Sequence, residues 1–374
     1  MGSKDMRFII TCGGSGGHIN PGLAVGRCLR ELGHEVLFIG APAGLERDLV
    51  PREGFLISFV DVRSLSRSLS PRGIRQNIAA LQKAVTSVGK AKKIIKEYKP
   101  SAVLGTGGYA SFPALRAAAS LKIPTLVHDS NAFPGITTKM AAKRADAILV
   151  GMESCRDAYK RKDRVHVVGT PVRAEFFTAD RLTSREKLRL DNRPLIVSMF
   201  GSQGARDMNR IMLDMMALGT EEWQIIHAAG PKRYKAFTET AAERGIAFDG
   251  TTGLRVLDYI HDMAETVAAA DLVICRAGGS TLAELAAAAK PAILIPSPNV
   301  TADHQTHNAK MLADAGGAIL MPEAGLTAEV LLRTVKELLE NKAKREEMSE
   351  KLKALAVPDS AEKIADMMVG MAVQ

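Results

Sequence analysis

One pattern constrains the fold more than any other: an apolar run, a turn dense in glycine, then a helix-forming stretch. It occurs at Met6–Gly17, Ala102–Ser111, Leu195–Arg206 and Leu272–Glu284. Apolar runs of this length read as buried strands. A helix that starts directly after a strand leaves unpaired N–H groups and partial positive charge beyond the strand end. Glycine there lets a ligand come close to the backbone. A chain repeating this unit is expected to form parallel α/β sheets that bind ligands at the carboxyl ends of their strands.

The stretch Asp271–Asn308 carries the most information. Leu272–Cys275 reads as a strand, Arg276-Ala277-Gly278-Gly279 as a turn, and Ser280-Thr281 as the start of a helix that Lys290-Pro291 stops. Ala292–Ile295 is the next strand, followed by the polar set Asp303, His304, Gln305, His307 and Asn308. The helix start suits an anion such as a diphosphate. The competing reading is local. Thr281-Leu-Ala-Glu284 also fits a capping box that only satisfies backbone donors.

In the first half, Met6–Cys12 is the first expected strand, Pro21–Leu32 a helix and Glu35–Ile39 the second strand. The glycines between them do not fall as G-x-G-x-x-G. The second strand ends in Ile39-Gly40, without the acidic residue that grips a ribose, so NAD is disfavoured. His18 is a candidate general base, since imidazole titrates near neutrality. Further strands are expected at Phe55–Val62, Ala102–Leu104, Thr125–Val127, Ala147–Val150 and Val165–Val168. Polar residues bunch at His128-Asp129-Ser130-Asn131.

Nine of the 50 basic residues and none of the 41 acidic ones lie between Val62 and Lys96, so the formal excess of +9 falls within this window. Ile74, Ile78, Leu81, Val85 and Val88 recur there at helical spacing, after a Ser/Arg loop with Leu65 and Leu69. A basic, partly apolar surface suits anionic lipid headgroups. With no aromatic residue within this window, nucleic acid is not the expected partner.

Gly169-Thr-Pro-Val-Arg173 marks a boundary, and a second α/β series begins at Leu195 with the turn Gly201–Arg206. A length of 374 residues with 46% hydrophobic content accommodates two cores. Cys12, Cys28, Cys155 and Cys275 form no CxxC pair, so neither zinc nor a disulfide framework is indicated, and a reducing compartment is expected. No D-x-D triplet or Walker motif occurs, and no signal peptide or spanning segment is read.

Taken in order, GGSGGHINPGLAV, GTGGYAS, HDSN, GTPVR, GSQGAR, YIHDM, CRAGGSTLAE and DHQTHNA resemble the MurG family over nearly the whole chain. The resemblance implies a GT-B fold: two Rossmann-like doubly wound domains facing a central cleft. Residues 1–168 with helix 359–374 would form the acceptor and membrane side, and 169–358 the donor-binding domain. It implies an inverting transfer of GlcNAc from UDP-GlcNAc to the C4 hydroxyl of undecaprenyl-diphosphate-linked muramoyl-pentapeptide. This step belongs to peptidoglycan synthesis, at the cytoplasmic face of the bacterial plasma membrane, with no cofactor or metal. By position, Ser15, Gly16, Gly17 and Asn131 would approach the donor. Arg173 and Ser202 would meet the diphosphate region, Gln203 would contact the substrate, and Ile260 would read the uracil edge. The turn Gly279, Ser280, Thr281, Leu282, Ala283, Glu284 would cradle the nucleotide, with Glu284 on the ribose. Gln305 would bind sugar hydroxyls. His18 is the expected base, with Asp129 second. The family commonly has Glu-Gln where this chain has Asp129-Ser130, a carboxylate shorter by one methylene. Other GT-B UDP-sugar enzymes, including a 2-epimerase, and a non-catalytic UDP-sugar binder are the alternative readings.

Overall fold

The computed structural model describes residues 5–62, 86–219, 221–248, 253–300 and 303–373. The Ser/Arg loop and most of the apolar repeat expected between Val62 and Lys96 therefore lie outside the described residues. The chain forms two compact units, Met1–Arg173 with Val357–Gln374, and Ala174–Ala356.

The first unit holds seven parallel strands, β1 (Arg7–Thr11), β2 (Glu35–Gly40), β3 (Leu56–Phe59), β4 (Ala102–Gly105), β5 (Thr125–Asp129), β6 (Ala147–Val150) and β7 (Val165–Val167), in the order β3-β2-β1-β4-β5-β6-β7. Its helices are α1 (Gly16–Glu31), α2 (Glu46–Arg52), α3 (residues 86–98), α4 (Ser111–Ser120) and α5 (Ile136–Ala142). The second unit holds six parallel strands, β8 (Leu195–Met199), β9 (Gln224–Ala228), β10 (Leu254–Leu257), β11 (Leu272–Cys275), β12 (Ala292–Leu294) and β13 (Ala318–Leu320), in the order β10-β9-β8-β11-β12-β13. Its helices are α6 (Glu175–Thr178), α7 (Arg181–Lys187), α8 (Arg206–Ala217), α9 (Tyr234–Glu243), α10 (Met263–Ala269), α11 (Gly279–Ala287), α12 (His304–Asp314), α13 (Ala328–Glu340) and α14 (Lys342–Leu355). The last helix, α15 (Ser360–Val373), belongs again to the first unit.

Both sheets are buried on two faces. Phe8, Ile10 and Leu104 pack with α1 and α15, while Ile9, Val103 and Val127 pack on the opposite side with α4. In the second unit Ile196, Ile225 and Ile274 pack with the α8 methionines and with Leu331, Val335 and Leu338 of α13. The strand order reverses between β1 and β4 and again between β8 and β11. An open α/β sheet binds ligands beyond the strand ends at such reversals. The loops at these points are those that carry the glycine turns.

Two helix starts differ from expectation. Pro21 does not open α1, which begins at Gly16 with an extended Ser15 as N-cap. Pro21 lies inside the helix, where it has no N–H to offer the Gly17 carbonyl. Likewise α11 begins at Gly279, with an extended Gly278 as N-cap and no side-chain cap. Thr281 is therefore its third residue and Glu284 its sixth, so the capping box does not form.

Candidate active site

In the first unit, the loop after β1 and the loop after β4 touch backbone to backbone. A Cβ at Gly108 would fall 2.0 Å from the Gly13 carbonyl oxygen, and Gly108 has φ +81°, so only glycine suits the position. A Cβ at Gly107 would fall 2.5 Å from His18 Nδ1, which places the imidazole against that backbone. Thr106 Oγ1 donates to the His18 carbonyl at 2.7 Å. The two glycine loops thus fix the first turn of α1, with Ser15 and Gly16 partly accessible, Gly17 exposed and His18 half-buried.

A residue the motif reading passed over holds this loop from behind. Glu46, the first residue of α2, is fully buried. Its Oε2 accepts the Gly14 N–H at 3.0 Å and its Oε1 the Ala41 N–H at 2.8 Å. Burial first, and then the Glu46 charge, push the Cys12 thiol and the Tyr109 phenol up. The available sequence signal is spacing. Gly40 and Gly44 flank the carboxylate so tightly that a Cβ at Gly44 would lie 2.0 Å from Glu46 Oε2.

Asp129 is 4% exposed, and both its oxygens are engaged by its own loop. Oδ1 accepts from the Asn131 backbone at 3.0 Å and the Asn131 side chain at 3.1 Å; Oδ2 accepts the Gly135 N–H at 3.1 Å. His128 is fully buried, with Nε2 2.9 Å from the Gly169 carbonyl. Burial lowers its pKa, outweighing that bond and the Asp129 charge, and the charge of nearby His18 acts in the same direction as burial. Arg173 ends the unit, half-buried.

In the second unit, the loop 200–205 after β8 lies beside the turn 276–278 after β11, because Met199 and Cys275 pair in register. A Cβ at Gly204 would fall 2.0 Å from the Ala229 carbonyl, which accepts from Asn209 Nδ2 at 2.8 Å. Ser202 is half-buried and Gln203 exposed on this loop. Arg276, only 9% exposed, donates to the carbonyls of Ile295 and Pro296 at 3.0 and 3.1 Å and pairs with Glu323. Asn308 is fully buried and donates to the Ala277 carbonyl at 2.9 Å. These two side chains clamp the turn that starts α11, and the sequence reading assigned neither a role. Gln305 Oε1 accepts the Ser297 N–H at 2.8 Å, which leaves the amide NH₂ as its donor end. On α11, Gly279, Ser280, Leu282 and Glu284 are buried, while Thr281 and Ala283 are partly accessible. Burial, and then the Glu284 charge, push the Cys275 thiol up to about 12. Ile260 is buried just ahead of α10.

The structure therefore brings Ser15–His18 together with the 106–110 loop, and Asn131 with Asp129, in one unit. In the other it brings Ser202 and Gln203 beside the turn that starts α11.

The glycosyltransferase family 28 N-terminal domain matches residues 8–150 and the family 28 C-terminal domain residues 195–364. The UDP-N-acetylglucosamine--N-acetylmuramyl-(pentapeptide) pyrophosphoryl-undecaprenol N-acetylglucosamine transferase of Acetivibrio thermocellus is 38% identical over 367 residues, 97% of each chain. That of Desulforamulus reducens is 39% identical over 360 residues, 95% of this chain and 96% of its own. The chain belongs to the MurG family. The crystal structure of Acinetobacter baumannii MurG superposes with a TM-score of 0.70 at 29% identity, covering 97% of this chain and 99% of that one. The two Rossmann-like units are thus those of a GT-B glycosyltransferase.

Proposed function

We propose that the chain transfers GlcNAc from UDP-GlcNAc to the C4 hydroxyl of the muramoyl sugar on an undecaprenyl-diphosphate-linked pentapeptide. The observation that carries this reading is the match, end to end, to transferases whose names spell out that reaction. The second unit takes the nucleotide on the start of α11, where backbone N–H groups and the helix dipole favour a diphosphate. Glu284 holds ribose hydroxyls, and the Gln305 NH₂ donates to the sugar. Ser202, Gln203 and Arg173 serve the diphosphate, and Ile260 the uracil edge. The first unit supplies Ser15, Gly16, Gly17 and Asn131 toward the donor, together with the base.

His18 is that base. Its carbonyl and ring are fixed by Thr106 and Gly107, whereas the Asp129 oxygens are engaged by their loop. His18 removes the C4 hydroxyl proton, the oxygen attacks the anomeric carbon with inversion, and UDP leaves with the bonding pair. Amides aimed at the leaving diphosphate stabilise its growing charge without reorganising. In a labelled-GlcNAc transfer assay on a lipid-linked acceptor, His18→Ala should lower kcat by roughly 10²–10⁴. UDP-GlcNAc affinity should change little. Unchanged turnover would remove His18 from the mechanism.

The basic window supports the reading that the enzyme works at an anionic membrane surface. Among the described residues no helix is long and apolar enough to cross a membrane. Of the window's lysines on α3, Lys90 lies 3.7 Å from Asp61 and Lys93 lies 3.9 Å from Glu97, both pairs at the surface and so contributing little. Reversing Arg63, Arg67, Arg72 and Arg75 to Glu should release the protein from anionic vesicles. The membrane reading fails if all four reversals leave flotation unchanged.

A further inference from the structure

A groove of about 430 Å³ runs between α8 and α9, within the ~300–1,000 Å³ range of small-molecule sites. Arg206, Asn209 and Leu213 line it from α8, and Arg233, at the N-cap of α9, with Phe237 and Thr240 of that helix line the other side. Spacings of three and four put each trio on one helix face. The two helices start side by side, since a Cβ at Gly230, ahead of α9, would fall 2.5 Å from the Gln203 backbone, ahead of α8.

Charge is uneven along the groove. At the far end Arg244 lies 2.5 Å from Asp214, which also faces Arg210 at 3.7 Å. At the helix starts stand Arg206, Lys232 and Arg233, and among the described residues no carboxylate pairs with them. Neither helix start is capped by a side chain. An independent observation comes from the wall. Asn209 is 6% exposed; its Nδ2 is committed to the Ala229 carbonyl, and its buried Oδ1 has no hydrogen-bond partner. A buried acceptor without a donor is costly, so the group that completes it is an O–H or N–H.

We propose that this groove binds a phosphate ester carrying a free hydroxyl, such as a glycerol or sugar phosphate. The unpaired cations take the phosphate, and a hydroxyl of the same molecule donates to Asn209 Oδ1. A bare anion answers the cations but not the amide oxygen. Single-stranded nucleic acid is disfavoured because Phe237, the aromatic residue of the wall, is only 5% exposed and offers no face to a base. The ester is either free or the headgroup of an anionic lipid.

The test is calorimetric titration of the full chain, saturated with UDP, with glycerol 3-phosphate and with methyl phosphate, beside flotation on phosphatidylglycerol or phosphatidylcholine vesicles. Each arm is repeated with the double variant Lys232→Glu/Arg233→Glu, whose UDP affinity reports that it is folded. Tighter binding of glycerol 3-phosphate than of methyl phosphate, weakened about tenfold or more in the variant, supports a free ester. Absence of soluble binding with phosphatidylglycerol flotation that the variant reduces supports the lipid headgroup. Equal affinity for the two phosphates overturns the assignment of Asn209. No binding in any arm, or binding and flotation that the variant retains in full, overturns the site.

Discussion

Single side chains behind the glycine loops decide whether those loops keep their shape. Glu46 accepts two backbone N–H groups from segments 27 residues apart in sequence, Gly14 and Ala41. Glu46→Ala leaves the Ala41 N–H buried without an acceptor, at a cost of about 1–3 kcal/mol. Glu46→Gln turns an amide donor toward one of the two donors. Both variants should melt earlier and turn over more slowly, because the Gly13–Gly14 loop leads directly into Ser15–His18. Unchanged melting and unchanged turnover in both would show that the carboxylate holds nothing. Residue-level legibility was uneven for a physical reason. Gly107, Gly108 and Gly204 stand out in the chain because each takes a positive φ and leaves no room for a Cβ. Glu46, Arg276 and Asn308 act through contacts with distant segments, and their neighbours in sequence give little hint of it.

Each strand–turn–helix unit was legible as an element because a buried parallel strand is a plain apolar run and glycine ends it. Helix starts were less so. Pro21 and Thr281 carry strong local preferences, yet α1 and α11 begin earlier, where extended Ser15 and Gly278 let the first amides project from the strand end. The β8–β9 pair carries a second consequence. Ser198 and His227 face each other in register, Oγ to Nδ1 at 2.8 Å, and both are fully buried. Burial lowers the His227 pKa to about 3, against a hydrogen bond to the Ser198 backbone, which raises it. The unfolded chain therefore binds a proton from pH ~6.5 downward that the folded chain refuses. The His227 contribution is complete above pH ~6.5 and is lost as pH falls toward 3, amounting to about 2 kcal/mol by pH 5. His128, lowered by burial, acts with the same sign. Urea midpoints at pH 7 and pH 5 should differ less in His227→Gln than in the parent. Parallel pH dependence in the two would mean that the imidazole is protonated in the fold.

At the scale of the whole molecule, the chain leaves the first unit at Arg173 and returns to it at Val357. The return is an apolar one: Ile364, Ala365 and Met368 of α15 are fully buried in the core that includes Leu23 and Leu29 of α1. The second unit has its own core, in which Leu331 of α13 is fully buried beside Ile196 and Ile274. Met368→Ala and Leu331→Ala remove comparable volume and should each cost about 2–5 kcal/mol. Hydrogen exchange separates them, since opening free energies belong to cooperative units of structure. Met368→Ala, near the C-terminus, should speed exchange at Phe8–Ile10 and Val103–Leu104, in β1 and β4. Leu331→Ala should instead speed Ile196–Val197 and Val273–Ile274, in β8 and β11. Added UDP should slow exchange in the second set and in the Leu331→Ala protein, since a ligand stabilises what it binds by mass action. If Met368→Ala accelerates both sets equally, the two units open as one, and assigning the donor to one of them loses its thermodynamic basis.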